Sequence, residues 1–191
     1  LAFVRSMKPA PRYVVLSGTL PPGVPDDAYA RLAEVAKARG SQVVLDTSGP
    51  ELREALKQGV WIVKPSLREL SELTGRDLGD ETQWLAAGRQ LVRTGQTEWV
   101  ALTLGERGAL LVGADAAWRA NAITVPVASA TGAGDSFLAA MVWAVSRGMP
   151  MVDGFRYGVA AGTAALLTPG TDLCRKDDVL RLVPQVVVRD L

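Results

Sequence analysis

Short apolar runs alternate with longer stretches whose apolar residues recur every three or four positions, and this alternation organises the first half of the chain. Tyr13–Leu16, Val43–Leu45 and Trp61–Val63 predict strands. Each leads through a polar turn into a helical pattern: Ser17–Val24 into Pro25–Arg39, Asp46–Gly49 into Pro50–Gln58, and Lys64-Pro65-Ser66 into Leu67–Leu73. In Pro25–Arg39 an apolar stripe of Tyr29, Leu32, Val35 and Ala36 can follow a cap at Asp26 or Asp27, and Gly40 stops the helix. Ser66 can cap the third helix in the same way. Apolar strands joined by helical crossovers predict an α/β fold with a mostly parallel sheet covered on both faces.

Glu81–Arg93 predicts a further helix, burying Trp84, Leu85, Leu91 and Val92. Trp99–Leu104 and Ala109–Val112 read as strands joined by a turn at Gly105–Gly108, a hairpin closing an otherwise parallel sheet. Ala117–Ala122 and Thr124–Val127 read as shorter strands with polar interruptions. From residue 133 the pattern turns helical, over Ala133–Arg147 and Val152–Leu167, with Gly148-Met149-Pro150 between them. Ala160, Ala161, Gly162, Ala164 and Ala165 permit close packing against another element. A last helix is predicted over Lys176–Val183, and no repeat or interdomain linker interrupts the chain.

Composition narrows the chemistry. The 191 residues are 48% hydrophobic, enough for a substantial core. Twenty-one Lys and Arg against 20 Asp and Glu leave a formal charge of +1, and the basic residues are scattered, which argues against nucleic-acid and membrane partners. Ser136–Ser146 and Tyr157–Thr168 are apolar but too short to span a bilayer. With no histidine and one cysteine, Cys174, the chain has no Ser-His-Asp triad, no Cys-His pair, no Cys/His zinc cluster and no internal disulfide. Acid-base chemistry must rest on Asp, Glu, Lys or Tyr, and the cysteine usage fits a reducing compartment. Leu1–Pro11 has no signal-peptide pattern, and a first residue other than Met points to a fragment or a processed chain.

The most informative string is Ala130-Thr131-Gly132-Ala133-Gly134-Asp135-Ser136-Phe137, set directly before an apolar helical run. Gly132 and Gly134 let backbone approach a ligand closely, and their amides at a helix start can stabilise phosphoryl oxygens. Asp135 can orient or deprotonate a hydroxyl. A plain glycine turn with an aspartate cap fits the same string. Neither GxxxxGK[ST] nor GxGxxG after a first strand is present.

Several further strings occur in a fixed order: Leu16-Ser17-Gly18-Thr19-Leu20-Pro21-Pro22-Gly23, Asp46-Thr47-Ser48-Gly49, Lys64-Pro65-Ser66-Leu67-Arg68-Glu69-Leu70, Thr103-Leu104-Gly105-Glu106-Arg107-Gly108-Ala109 and Gly158–Thr171. Together with the Gly132–Asp135 string they cover almost the whole chain, which resembles the C-terminal part of the PfkB, or ribokinase-like, carbohydrate kinases, especially the phosphofructokinase branch. The resemblance implies a three-layer αβα sandwich incomplete at its N-terminal side, with residues 1–191 forming the nucleotide-binding and catalytic portion and the substrate and lid portion absent.

The same resemblance implies that Asp135 is the base that activates the acceptor hydroxyl and that Gly132, Ala133 and Gly134 form the anion hole. Thr103, Gly105 and Gly108 match the nucleotide-contacting turn, although a simple hairpin turn reads the same. Lys64 and Ser66 match a nucleotide-side region and Glu69 an acidic position that organises magnesium (Mg2+) through water; a solvated helix start is the local alternative. Thr19 matches a position near the phosphosugar and otherwise reads as a turn residue. Ser129, Thr131, Ala165, Thr168, Gly170 and Asp172 match a monovalent-cation loop, with potassium (K+) as its ion, and Thr168–Thr171 equally reads as a helix-ending turn. Ser66 departs from the family's usual Asn.

By this resemblance the full-length protein is a cytoplasmic, glycolytic kinase and a homodimer, transferring phosphate from ATP to a phosphosugar, with fructose 6-phosphate as the leading acceptor. Fructose 1-phosphate, tagatose 6-phosphate and a noncatalytic nucleotide- or sugar-binding module remain as alternatives.

Overall fold

Burial on both faces explains the apolar runs directly: Val60, Trp61, Ile62 and Val63 are all buried, as a strand inside a parallel sheet requires. The computed structural model describes Leu1–Leu191. The chain forms two compact units, Leu1–Leu102 with Val112–Asp115, and Thr103–Leu111 with Ala116–Leu191.

The first unit opens with α1 (Ala2–Ser6), a short helix that the hydrophobic pattern does not predict. It continues through β1 (Tyr13–Ser17), α2 (Ala28–Ala38), β2 (Gln42–Asp46), α3 (Gly49–Leu56), β3 (Val60–Val63), α4 (Leu67–Thr74), α5 (Glu81–Arg93) and β4 (Thr97–Thr103). These strands neighbour one another in chain order and pair in parallel. In the register, Ser17 lies opposite Asp46 and Leu45 opposite Val63. The residues that follow each strand, Gly18, Thr47 and Lys64, therefore emerge at one edge, where parallel sheets place ligands.

Local chemistry sets the helix limits. Asp27 occupies the N-cap of α2, but its side chain makes no cap hydrogen bond; the entry is a backbone turn in which the Ala28 N–H donates to the Pro25 carbonyl at 2.9 Å. At α4, Ser66 accepts from the Glu69 N–H while Glu69 accepts from the Ser66 N–H, and Gly75 ends the helix at φ 66°. In α5 the Asp80 carboxylate accepts from the Gln83 N–H, and Trp84, Ala87, Gly88 and Leu91 are the buried stripe.

The second unit contains β5 (Ala109–Val112) up to Leu111, β6 (Ala117–Ala120), α6 (Ala133–Ser146), α7 (Met151–Ala165), α8 (Lys176–Leu182) and β7 (Val188–Asp190). β6 pairs antiparallel with β7, so the pairing is mixed. The strand expected over Ala117–Ala122 is shorter, ending at Ala120, although the Asn121 N–H still reaches the Val187 carbonyl opposite it in the register at 3.3 Å. The strand expected over Thr124–Val127 does not form; Pro126 has no N–H to offer a ladder there.

α6 and α7 pack along a glycine stripe. Side chains at Gly154, Gly158 and Gly162 would meet Val145 Cγ2 at 2.6 Å, the Phe137 carbonyl at 3.1 Å and the Ala133 carbonyl at 3.2 Å. The close approach places Phe137 edge-on to Phe155, with ring centroids 6.2 Å apart.

Candidate functional site

In the second unit, the start of α6 carries the Gly-Ala-Gly-Asp string. Gly132 sits at the N-cap with φ 76°, a conformation that lets the chain turn sharply into the helix. The first helical bond runs from the Ser136 N–H to the Gly132 carbonyl at 2.9 Å, and the Ala133 N–H reaches the Ala130 carbonyl only at 3.4 Å. The Ala133 and Gly134 amides thus lie ahead of the helical ladder, at the positive end of the helix. Asp135, in the first turn, is exposed. This end can hold an anion and present a carboxylate to a hydroxyl beside it.

Ala133 and Gly134 also line a cavity of about 890 Å³, together with Thr103, Gly105 and Gly108 of the predicted nucleotide turn. Its size falls within the usual range of small-molecule sites. The turn at its mouth is a short 3-10 segment, Gly105–Arg107, closed by a 2.9 Å bond from the Leu104 N–H to the Gly108 carbonyl. Gly108 is required twice: its φ is +86°, and a Cβ there would fall 2.2 Å from the Ala120 carbonyl oxygen. Arg119 fixes the same wall by donating to the carbonyls of Arg107, Ala109 and Ala120.

Sequence reasoning missed most of the apolar lining. Phe137, Val159 and Leu166 fall in the expected long helices, Val125 and Val127 in the expected strand Thr124–Val127, and Ile123 between two expected strands; all six line the cavity. The signal for the first three was the small-residue face of Gly162 and its neighbours, which leaves space beside the larger side chains.

The six residues of the expected cation loop partly converge. Ser129 Oγ donates to the Gly170 carbonyl at 2.7 Å and accepts from the Thr131 N–H at 3.2 Å. Buried Thr168 Oγ1 lies 2.8 Å from both the Ala165 and Asp172 carbonyls, which share its single proton. Carbonyl and hydroxyl oxygens are the donor set that a hard cation takes. The following residues close over α6: the Cys174 N–H approaches Ser136 Oγ at 3.4 Å, and a Cβ on Gly132 would lie 3.2 Å from Leu173 Cδ2.

In the first unit, Thr19 is exposed in the turn after β1. Lys64 is only 6% exposed, and its ammonium stands 3.0 Å from Asp46 Oδ1. A buried lysine needs such a partner, so its first role is structural. Ser66 and Glu69 form the capping box of α4, with Glu69 Oε2 2.7 Å from the Ser66 N–H and Ser66 Oγ 3.3 Å from the Glu69 N–H. The string is therefore a capped helix start preceded by a buried lysine. Tyr29, Thr47 and Asp46, which no motif singled out as site residues, surround the turn that carries Thr19.

No helix is long and apolar enough to cross a membrane. Residues 9–178 match the profile of the pfkB family carbohydrate kinases. The chain is 43% identical over 169 residues to the ATP-dependent 6-phosphofructokinase isozyme 2 of Mycobacterium tuberculosis strain H37Rv, covering 88% of this chain and 50% of that protein. The crystal structure of Escherichia coli phosphofructokinase-2 in complex with potassium superposes with a TM-score of 0.87 at 35% identity, over 91% of this chain and 56% of that one. The tetrameric inhibited form of the same enzyme gives 0.83 at 33% identity, over 91% and 56%. The chain thus spans about half the length of the curated relatives it matches. Its fold is the α/β ribokinase-like three-layer sandwich with a mixed sheet. With the order of its strings, the glycine-opened helix start and the profile match over most of its length in agreement, the chain belongs to the pfkB family of carbohydrate kinases.

Proposed function

We propose that this chain is the C-terminal, nucleotide-binding and base-bearing portion of an ATP-dependent phosphosugar kinase whose leading acceptor is fructose 6-phosphate. The observation that carries the reading is the start of α6, where Ala133 and Gly134 line a cavity of about 890 Å³ and Asp135 follows in the first helical turn, outside that lining. ATP use and the phosphofructokinase branch are supported by the relatives, which carry that activity in their names.

In this mechanism Asp135 accepts the proton of the sugar's primary hydroxyl as its oxygen forms a bond to the γ-phosphorus. The bond from that phosphorus to the β,γ-bridging oxygen breaks in line, leaving ADP. The Gly132–Gly134 turn holds the oxygens of the migrating group, and the glycine turn at Thr103, Gly105 and Gly108 receives the nucleotide. Thr19 contacts the phosphosugar, and Lys64 and Ser66 flank the nucleotide.

No three carboxylate or cysteine side chains converge to hold a metal. Glu69 would act on a hydrated magnesium ion through water, with one of its oxygens already engaged in the cap. Magnesium, when bound, neutralises charge developing on the phosphates. Ser129, Thr131, Ala165, Thr168, Gly170 and Asp172 would hold potassium, an ion present in the E. coli neighbour. We place the full-length protein in the cytoplasm as a self-associating enzyme, and the tetramer of that neighbour favours this over a monomer.

The test is product analysis with the full-length protein, ATP and magnesium, offering fructose 6-phosphate, fructose 1-phosphate and tagatose 6-phosphate separately. Fructose 1,6-bisphosphate formed fastest from fructose 6-phosphate is the expected result. Nucleotide binding without phosphorylation of any of the three would favour a noncatalytic module.

A further inference from the structure

The turn after β1 is exposed, yet it is held from beneath by two buried hydroxyls. Tyr29, from the first turn of α2, is 9% exposed, and its Oη lies 2.9 Å from the Ser17 carbonyl and 3.0 Å from the Gly18 carbonyl. Thr47, 7% exposed at the end of β2, donates its Oγ1 proton to the same Gly18 carbonyl at 2.9 Å. The Gly18 N–H donates to the Asp46 carbonyl at 2.9 Å. Gly18 has φ +93°, and a Cβ on it would meet nothing within 4 Å, so packing does not hold this residue; hydrogen bonds do.

The Gly18 carbonyl and the Thr19 N–H belong to one planar trans peptide, in which they point in opposite directions. Anchoring the carbonyl on Tyr29 and Thr47 therefore aims the Thr19 N–H away from these buried hydroxyls and fixes where the Thr19 side chain begins. Burial first, and the Glu51 carboxylate second, push the Tyr29 phenol above its ordinary value, which keeps it a protonated donor across the physiological range.

We propose that Tyr29 and Thr47 are positioning residues for the phosphosugar acceptor, acting through the Gly18–Thr19 peptide and touching neither substrate. The inference rests on the kinase reading above and deepens it by dividing the two substrates. A residue that orders only the acceptor turn should affect the acceptor's KM and leave that of ATP unchanged.

The experiment is steady-state kinetics of the full-length wild type, Tyr29→Phe, Thr47→Val and Thr47→Ser, varying fructose 6-phosphate and ATP in turn. Tyr29→Phe and Thr47→Val should each raise KM for fructose 6-phosphate roughly 2- to 13-fold, the equivalent of one net hydrogen bond, with KM for ATP within about twofold of wild type. Thr47→Ser retains the donor and should restore the wild-type KM. If the wild type turns over and Tyr29→Phe and Thr47→Val leave the fructose 6-phosphate KM unchanged, or raise both KM values equally, the positioning role is overturned while the kinase reading stands. If the wild type phosphorylates none of the three phosphosugars, the kinase reading fails and takes this proposal with it.

Discussion

Gly108→Ala and Gly105→Ala form a matched pair at the mouth of the cavity. Both glycines have positive φ, +86° at Gly108 and +59° at Gly105, so both substitutions strain the backbone. Their surroundings differ: a Cβ at Gly105 meets nothing within 4 Å, whereas one at Gly108 would lie 2.2 Å from the Ala120 carbonyl oxygen and 2.7 Å from the Ala122 amide nitrogen. Gly105→Ala should cost only the left-handed penalty, about 1–2 kcal/mol. At Gly108, where φ 86° and ψ −132° lie in a region used almost solely by glycine, strain of about 1–3 kcal/mol is joined by an overpacking cost of about 1–3 kcal/mol. Backbone atoms cannot yield as a flexible side chain does, so β6 must move away from the turn. Urea unfolding followed by tryptophan fluorescence should therefore show Gly108→Ala less stable than Gly105→Ala by at least about 1 kcal/mol. Equal losses in the two variants would refute the close approach of this turn to the strand beyond it.

Three further outcomes follow from the same physics. Ser66→Ala, which removes the acceptor of the α4 capping box, should lower stability by about 1 kcal/mol in the same unfolding assay, and Ser66→Asn should retain most of it, since Asn is also a good cap. Lys64→Met should destabilise by about 3 kcal/mol through loss of the partner of the largely buried Asp46 carboxylate, measured by thermal unfolding; a neutral result would mean that the ion pair adds nothing to the fold. The 191-residue chain alone should form little or no fructose 1,6-bisphosphate at saturating ATP, magnesium and fructose 6-phosphate, because it spans about half the length of the relatives it matches, and the resemblance assigns to the other half a lid and further sugar-binding groups that would hold the acceptor in line and exclude water; turnover equal to that of the full-length protein would contradict this.

What was legible in the sequence followed short-range rules. Ser66 reads as a helix cap, and the structure reproduces the bounds of Glu81–Arg93 and Ala109–Val112, although Leu85 and Val92 of the former are only half-buried and Ala87 and Gly88 take their place in the core. Thr124–Val127 misled because Pro126 removes a ladder donor; Thr124, Val125 and Val127 line the cavity instead of pairing as a strand. β7 escaped notice because three residues near the chain's end carry too little periodicity, and its partner β6 lies far away in sequence. Lys64 shows the deeper difficulty: its ion pair with Asp46 arises from strand register, which a local motif cannot display. The glycine turn was legible as a helix start, whereas the cavity that Ala133 and Gly134 line needed the packing of α6 on α7.

The central claim is that Asp135 takes the acceptor's proton during phosphoryl transfer. Asp135→Asn keeps the side chain's shape and removes its charge, so it separates proton transfer from binding. The decisive measurement compares single-turnover formation of fructose 1,6-bisphosphate and the Kd for ATP between full-length wild type and Asp135→Asn. The account predicts a rate lower by about 10²–10⁴ with ATP affinity within about threefold. Near-wild-type turnover by Asp135→Asn would contradict it.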